Sequence, residues 1–126
     1  LIAGLPYEGM AEFEKSFNDV YGLQPDMLQL GFLKVLPGTA MEKQRLEHEL
    51  RYMDEPPYEI LSTKYMPYCA LRFLKVLEDV FEHTYNSGRF VYTLKYLTEA
   101  EGNAFAFYKK FAYLFIITFS IVPTSY

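Results

Sequence analysis

The chain has 126 residues, with 12 Lys+Arg against 16 Asp+Glu and a formal charge of −4, a length that fits one compact domain and excludes two full-sized ones. Apolar residues make up 51% and aromatics 18%, too much buriable surface for a disordered chain. The acidic balance argues against a nucleic-acid surface, which needs clustered positive charge. The single cysteine, Cys69, rules out an intramolecular disulfide and any self-contained iron–sulfur or cysteine-rich zinc site.

Residues 1–5 form a short apolar run closed by Pro6 and read as a buried strand. Met10, Phe13, Phe17, Val20 and Tyr21 then recur on one helical face, with Glu8 and Glu12 near its start and Gly22 placed for a left-handed C-cap. After the Pro25-Asp26 turn, residues 27–36 read as a second strand. Strand, helix and strand in so short a span predict a right-handed βαβ unit with parallel strands. Pro37-Gly38-Thr39 breaks the second strand, and Thr39 with Glu42 spells a capping box that starts a helix running to about Glu49. Pro56-Pro57 blocks both helix and central strand, so residues 51–61 read as a loop or short edge hairpin.

From Pro67 the helical period returns, with Leu71, Leu74, Leu77, Val80, Phe81 and Tyr85 on one face and Gly88 as the stop. A shorter helix is expected over residues 90–97, with Phe90 in the core, and a last helix from Ala104. The fold class is therefore α/β (α+β), a βαβ unit followed by a helical C-terminal region, divided at 1–50 and 51–126. The uncharged run 111–122 reads as a buried core or interface helix, with its β-branched tail 116–122 an alternative strand. As a helix it spans about 18 Å at ~1.5 Å per residue, short of the ~30 Å hydrocarbon core, so no transmembrane segment is expected.

Chemistry is sparse. His48 and His83 lie on different predicted helices, form no H-E-x-x-H pair, and read as ordinary, partly exposed side chains. Cys69 reads as a packed or inert thiol, and no P-loop, dinucleotide fingerprint or nucleophile elbow is present. Two stretches stand at C-terminal ends of the predicted parallel strands: Gly4-Leu5-Pro6-Tyr7-Glu8 and Leu36-Pro37-Gly38-Thr39. Ligands of parallel α/β architectures bind at that edge. Gly4 and Gly38 would let backbone approach a ligand, and Glu8 would accept hydrogen bonds from a cationic or hydroxyl-bearing one. Spacing alone leaves equal room for tight βα turns with no ligand.

Ile2-Ala3-Gly4-Leu5-Pro6-Tyr7-Glu8 resembles the G-L-P-x-E segment on the fifth strand of radical S-adenosylmethionine (SAM) enzymes, and Pro37-Gly38-Thr39 resembles the P-G-T after their sixth. Residues 56–64 (PPYEILSTK) and 85–90 (YNSGRF) are similar to the helical, uncharacterised C-terminal extension of a bacterial subgroup of B12-binding radical SAM proteins. Such proteins are often described as magnesium-protoporphyrin IX monomethyl ester oxidative cyclase-like. The resemblance implies that residues 1–50 close a partial (β/α) barrel and residues 51–126 cover it. The parent would hold S-adenosylmethionine, a [4Fe–4S] cluster and cobalamin, with no cluster or cobalamin in this part. Gly4, Leu5, Pro6 and Glu8 would form part of the S-adenosylmethionine pocket wall, with Pro37, Gly38 and Thr39 beside it. No catalytic residue is carried over.

Leu1 in place of Met, without a basic-then-apolar leader, is consistent with a piece of a longer cytoplasmic polypeptide. Its partners would be the rest of the parent chain and, through an open strand edge or the aromatic C-terminal helix, a second copy. The competing reading is a stand-alone α+β protein-interaction module that docks through its apolar C-terminal helix.

Overall fold

A computed structural model describes residues 1–121, with side chains to residue 118. Val122 and the rest of the tail to Tyr126 lie outside the described residues. The elements are β1 (Ile2–Ala3), α1 (Met10–Gly22), β2 (Gly31–Phe32), α2 (Ala40–Lys43), β3 (Arg51–Tyr52), β4 (Ile60–Ser62), α3 (Tyr68–Thr84), α4 (Val91–Glu101) and α5 (Ala104–Ile121). This mixture of helices and small sheets is an α+β fold.

The chain divides into two compact units. The first comprises Leu1–Ser16 and Gln29–Leu74, the second Phe17–Leu28 and the chain from Lys75 onward. In the first unit β1 and β2 pair in parallel, Ile2 opposite Gly31 and Ala3 opposite Phe32, as the strand–helix–strand pattern predicts. Both strands are shorter than expected. Gly31 N donates to Leu1 O and Leu33 N to Ala3 O, at 2.8 and 2.9 Å. Beyond that the second segment turns to another partner: Lys34 bridges antiparallel to Glu59, Val35 N donates to Tyr58 O, and Ile60 N donates to Leu33 O. Of the loop and the edge hairpin left open over residues 51–61, the hairpin forms: β3 pairs antiparallel with β4, with an irregularity between Arg51 and Tyr52. Ala3, Phe32, Val35, Ile60 and Met66 are buried in this unit.

The helix expected to reach Glu49 stops at Lys43. Helices in proteins persist mainly by packing an apolar face, and residues 40–50 bury only His48 and Leu50, while Leu46 is 83% exposed. The backbone instead tightens into turns: Arg45 N donates to Glu42 O, Glu49 N to Leu46 O and Leu50 N to Arg45 O, with Glu49 at φ 49°. The capping box forms in altered shape. Thr39 Oγ accepts from Glu42 N at 3.4 Å, but the Glu42 carboxylate accepts from Gly38 N rather than from the cap residue.

The second unit is built on aromatic rings. Phe17 meets Phe81 and Phe105 edge-on at 5.6 and 5.4 Å, and Phe81 stacks on Tyr85 at 4.8 Å. Such pairs contribute about 0.5–1.5 kcal/mol each beyond area burial. The face predicted for α3 is buried from Leu71 through Phe81. Gly22 is the last residue of α1, and the left-handed position falls to Gln24 at φ 53°, correcting the expected cap. Helix α4 runs four residues further than predicted and ends on Gly102 at φ 78°, whose N–H bonds Thr98 O. Phe90 is 46% exposed rather than core, because α4 buries only Leu94 and Thr98. Helix α5 is helical to Ile121, over the described part of the 116–122 run that had the strand alternative. Phe105, Tyr108 and Ala112 are buried, whereas Tyr113, Leu114 and Ile117 are exposed, so among the described side chains of α5 the core ones lie in its first half. No helix among the described residues is long and apolar enough to cross a membrane.

Candidate functional site

The parallel register sets the position of the first candidate turn. Ala3 pairs with Phe32, so residues 4–8 leave β1 at its C-terminal end, next to the segment that leads on to residues 37–39. Gly4 is required there on two counts. Its φ is +93°, and a Cβ would stand 2.8 Å from Ile60 Cγ2. The missing side chain therefore faces the protein's own Ile60. The turn closes through Glu8 N donating to Leu5 O at 3.2 Å, with Tyr7 at φ 64°. Gly9 N donates to Glu12 Oε2 at 3.2 Å. Glu8 is half-buried, and burial pushes its carboxyl up, with the negative charge of Glu12 adding to the effect.

The second turn is exposed and spends its polar groups on itself. Thr39 Oγ donates to Leu36 O at 2.6 Å, Thr39 N to Leu36 O, and Gly38 N to Glu42 Oε1. Gly38 has φ +80° and nothing within 4 Å of the place a Cβ would occupy. The pattern that nominated this turn captures its shape. Its amides, however, are already bonded within the chain.

Behind Tyr7 lies a group that no local pattern announces. His48 is only 4% exposed, against the expectation of a partly exposed histidine. Its Nδ1 is 2.9 Å from the Tyr65 hydroxyl. Tyr7 meets both rings at 5.2 Å, edge-on to His48 and tilted to Tyr65. Burial pushes the Tyr65 hydroxyl up, and the Tyr7 phenol is the next cause. Tyr7 itself is 69% exposed.

In the second unit, the stretch Tyr85-Asn86-Ser87-Gly88-Arg89-Phe90 ends α3. Asn86 Oδ1 accepts from Leu28 N at 3.0 Å and Asn86 Nδ2 donates to Leu28 O at 2.9 Å, so one amide side chain pairs both polar groups of a backbone residue. Nδ2 also donates to Glu82 Oε2. Ser87 Oγ donates to Thr84 O, and Gly88 adopts φ 72°. These are helix-ending and loop-fixing roles, and Arg89 is exposed.

The family model described as "Protein of unknown function (DUF4080)" matches residues 46–116, more than half of the chain. The chain belongs to this family. None of the curated proteins and none of the solved structures compared with it matches. The DUF4080 segment contains both stretches on which the resemblance to an uncharacterised helical domain rests, 56–64 and 85–90, together with His48 and Tyr65. The turns at 4–8 and 37–39 precede it. No group of three or more His, Cys, Asp or Glu side chains that would hold a metal ion occurs among the described residues, and Cys69 is an exposed free thiol.

Proposed function

We propose that this DUF4080 chain is a non-catalytic part of a B12-dependent radical SAM enzyme, oxidative cyclase-like in its architecture, in which residues 4–8 contribute to the wall of the S-adenosylmethionine pocket. The observation that carries the reading is the parallel β1–β2 register, which puts the G-L-P-Y-E turn at a C-terminal strand edge, where ligands of parallel α/β folds bind. Of the residues the resemblance nominates, Glu8 fits a binding role best. It is a half-buried carboxylate in the turn, a group that can accept hydrogen bonds from amine or hydroxyl donors. Gly4 shapes the turn against Ile60, with Leu5 and Pro6 continuing it. Pro37, Gly38 and Thr39 form a self-contained turn that would flank the pocket.

A [4Fe–4S] cluster takes several thiolates, and one exposed cysteine does not supply them. Cluster and cobalamin would therefore be held by other parts of the parent chain. When bound there, the cluster would supply the electron that cleaves S-adenosylmethionine. The test is reconstitution of the full-length protein with cluster and cobalamin, followed by assay for 5′-deoxyadenosine. Release that depends on reductant, with weaker S-adenosylmethionine binding in Glu8→Gln, is the expected result. A full-length chain that lacks a three-cysteine motif, or that yields no 5′-deoxyadenosine when loaded, overturns the reading.

A further inference from the structure

The second unit contains a cleft of about 650 Å³, within the ~300–1,000 Å³ range of small-molecule pockets. Its walls have a marked electrostatic sign. Three helices end on it: Gly22 closes α1, Tyr85 and Gly88 follow α3, and Gly102 caps α4. A helix C-terminus carries about half a negative charge unless a basic side chain offsets it. The last turns of α1 and α4 contain no basic residue. In α3 the basic residue is His83, whose Nδ1 lies 2.8 Å from Asp79 O and 3.5 Å from Asp79 Oδ1. The α5 N-terminus is already capped, since Asn18 Oδ1 and Asn103 Oδ1 accept from the backbone N–H groups of Phe105 and Ala106; the α4 N-terminus at Val91, which has no side-chain cap, is the opposing positive end against three negative ones. Asp26 and Glu99 line the cleft and add full negative charges, against Lys95 alone among the described residues.

The remaining wall is aromatic and apolar. Tyr21 and Tyr85 lie 5.2 Å apart and tilted at 54°, with Val91 and Leu94 also lining the cleft. The Tyr85 hydroxyl donates to Pro25 O, and its ring is stacked on one face by Phe81, as that of Tyr21 is by Phe17, which leaves the other face of each for contact with a ligand. Aromatic faces attract cations, the more so where water is partly excluded. Glycines at 22, 88 and 102 have nothing within 4 Å of a notional Cβ, so backbone is open to close approach.

We infer that this cleft binds a small organic cation, specifically an amine with an apolar or aromatic body, its ammonium group held by Asp26 and Glu99 and its body against Tyr21 and Tyr85. The inference is independent of the radical SAM reading, because every lining residue lies outside the 4–8 and 37–39 turns. Phenethylamine, 2-phenylethanol and phenylacetate form a matched cationic, neutral and anionic probe series for calorimetry or NMR titration of the 126-residue chain. Phenethylamine is expected to bind at least about tenfold more tightly than the alcohol, with the acid weakest. Asp26→Asn and Glu99→Gln each weaken amine binding severalfold, and Lys95→Gln strengthens it, with circular dichroism confirming the fold of each. Equal binding of the three probes, preference for the acid, no saturation up to roughly millimolar concentration, or indifference to all three substitutions overturns the proposal.

Discussion

Tyr7 meets the buried His48 edge-on, ring centroids 5.2 Å apart and planes at 82°, and His48 Nδ1 is in turn 2.9 Å from the Tyr65 hydroxyl. Three segments remote in sequence are thus joined by one ring cluster, and the turn that carries Glu8 is anchored through it. His48→Ala removes both the ring contacts and the hydrogen bond, with an expected loss of about 2–3 kcal/mol of stability in urea denaturation. His48→Phe keeps a ring in place and forfeits only the hydrogen bond, for about 1 kcal/mol. Equal losses in the two variants would assign the effect to the Tyr65 bond alone.

Gly4 gives a sharper case because conformation and contact act together. An alanine there is strained at φ +93° and sets its Cβ 2.8 Å from Ile60 Cγ2. The expected cost of Gly4→Ala is about 2–4 kcal/mol, part backbone strain and part overpacking. Ile60→Ala removes both γ carbons, so the double variant should lose less than the sum of the two single variants. Strict additivity would show that Ile60 yields freely and that strain is the whole effect.

The residues legible in advance were those governed by short-range rules. The 3.6-residue spacing of Phe13, Phe17 and Tyr21, and of Leu71 through Phe81, marked α1 and α3 to within a residue or two. Pro67 and Thr39 marked helix starts through cap chemistry. The parallel pair was readable because a helix between two apolar runs leaves little other topology. The strands shrank for a reason invisible locally: Leu33 N still reaches Ala3 O, but Leu33 O accepts from Ile60 N and Val35 N donates to Tyr58 O, so the segment passes from β1 to residues 58–60, and Leu28 is claimed by Asn86. Likewise His48 carried no signal of its burial, since its partners Tyr7 and Tyr65 are brought to it only by tertiary folding. The shape of the 4–8 turn could be anticipated from Gly-Leu-Pro. That its glycine serves Ile60 could not.

Glu8 makes the turn sensitive to pH. Burial first, and the Glu12 charge second, raise its carboxyl above the ordinary value of 4.5 in the folded chain. A carboxyl raised on folding favours the folded state while both states are protonated, below 4.5, and that contribution is lost as pH rises through the folded value. Glu8→Gln removes the ionisation. Its stability relative to the parent should therefore be lowest at pH 4 and should increase toward neutrality, measured by urea denaturation at both values. Glu12→Gln should move the midpoint of the Glu8 titration down, read by NMR. A relative stability of Glu8→Gln that falls as pH rises would mean that the charged carboxylate is held by the fold rather than tolerated by it.

Tyr108 tests the aromatic core of the second unit. Its ring is fully buried against Phe17, Phe81 and Tyr21, yet no hydrogen bond of acceptable geometry reaches its hydroxyl among the described residues, although the side chains of Thr84 and Tyr21 are close enough to affect it. Burying an unpaired hydroxyl costs about 1–3 kcal/mol, and burial also raises this phenol far above 10. Tyr108→Phe keeps the ring and deletes the penalised group, so stability at neutral pH should be unchanged or should rise by up to about 1 kcal/mol. The alkaline side separates this from a simple packing gain. A phenol raised on folding contributes stability below 10 that drains away once the unfolded chain ionises and the folded one does not. Above that pH the parent protein should lose stability more steeply than Tyr108→Phe. Parallel curves for the two, or a loss of more than about 1 kcal/mol in the variant at neutral pH, would show that the hydroxyl is satisfied within the core.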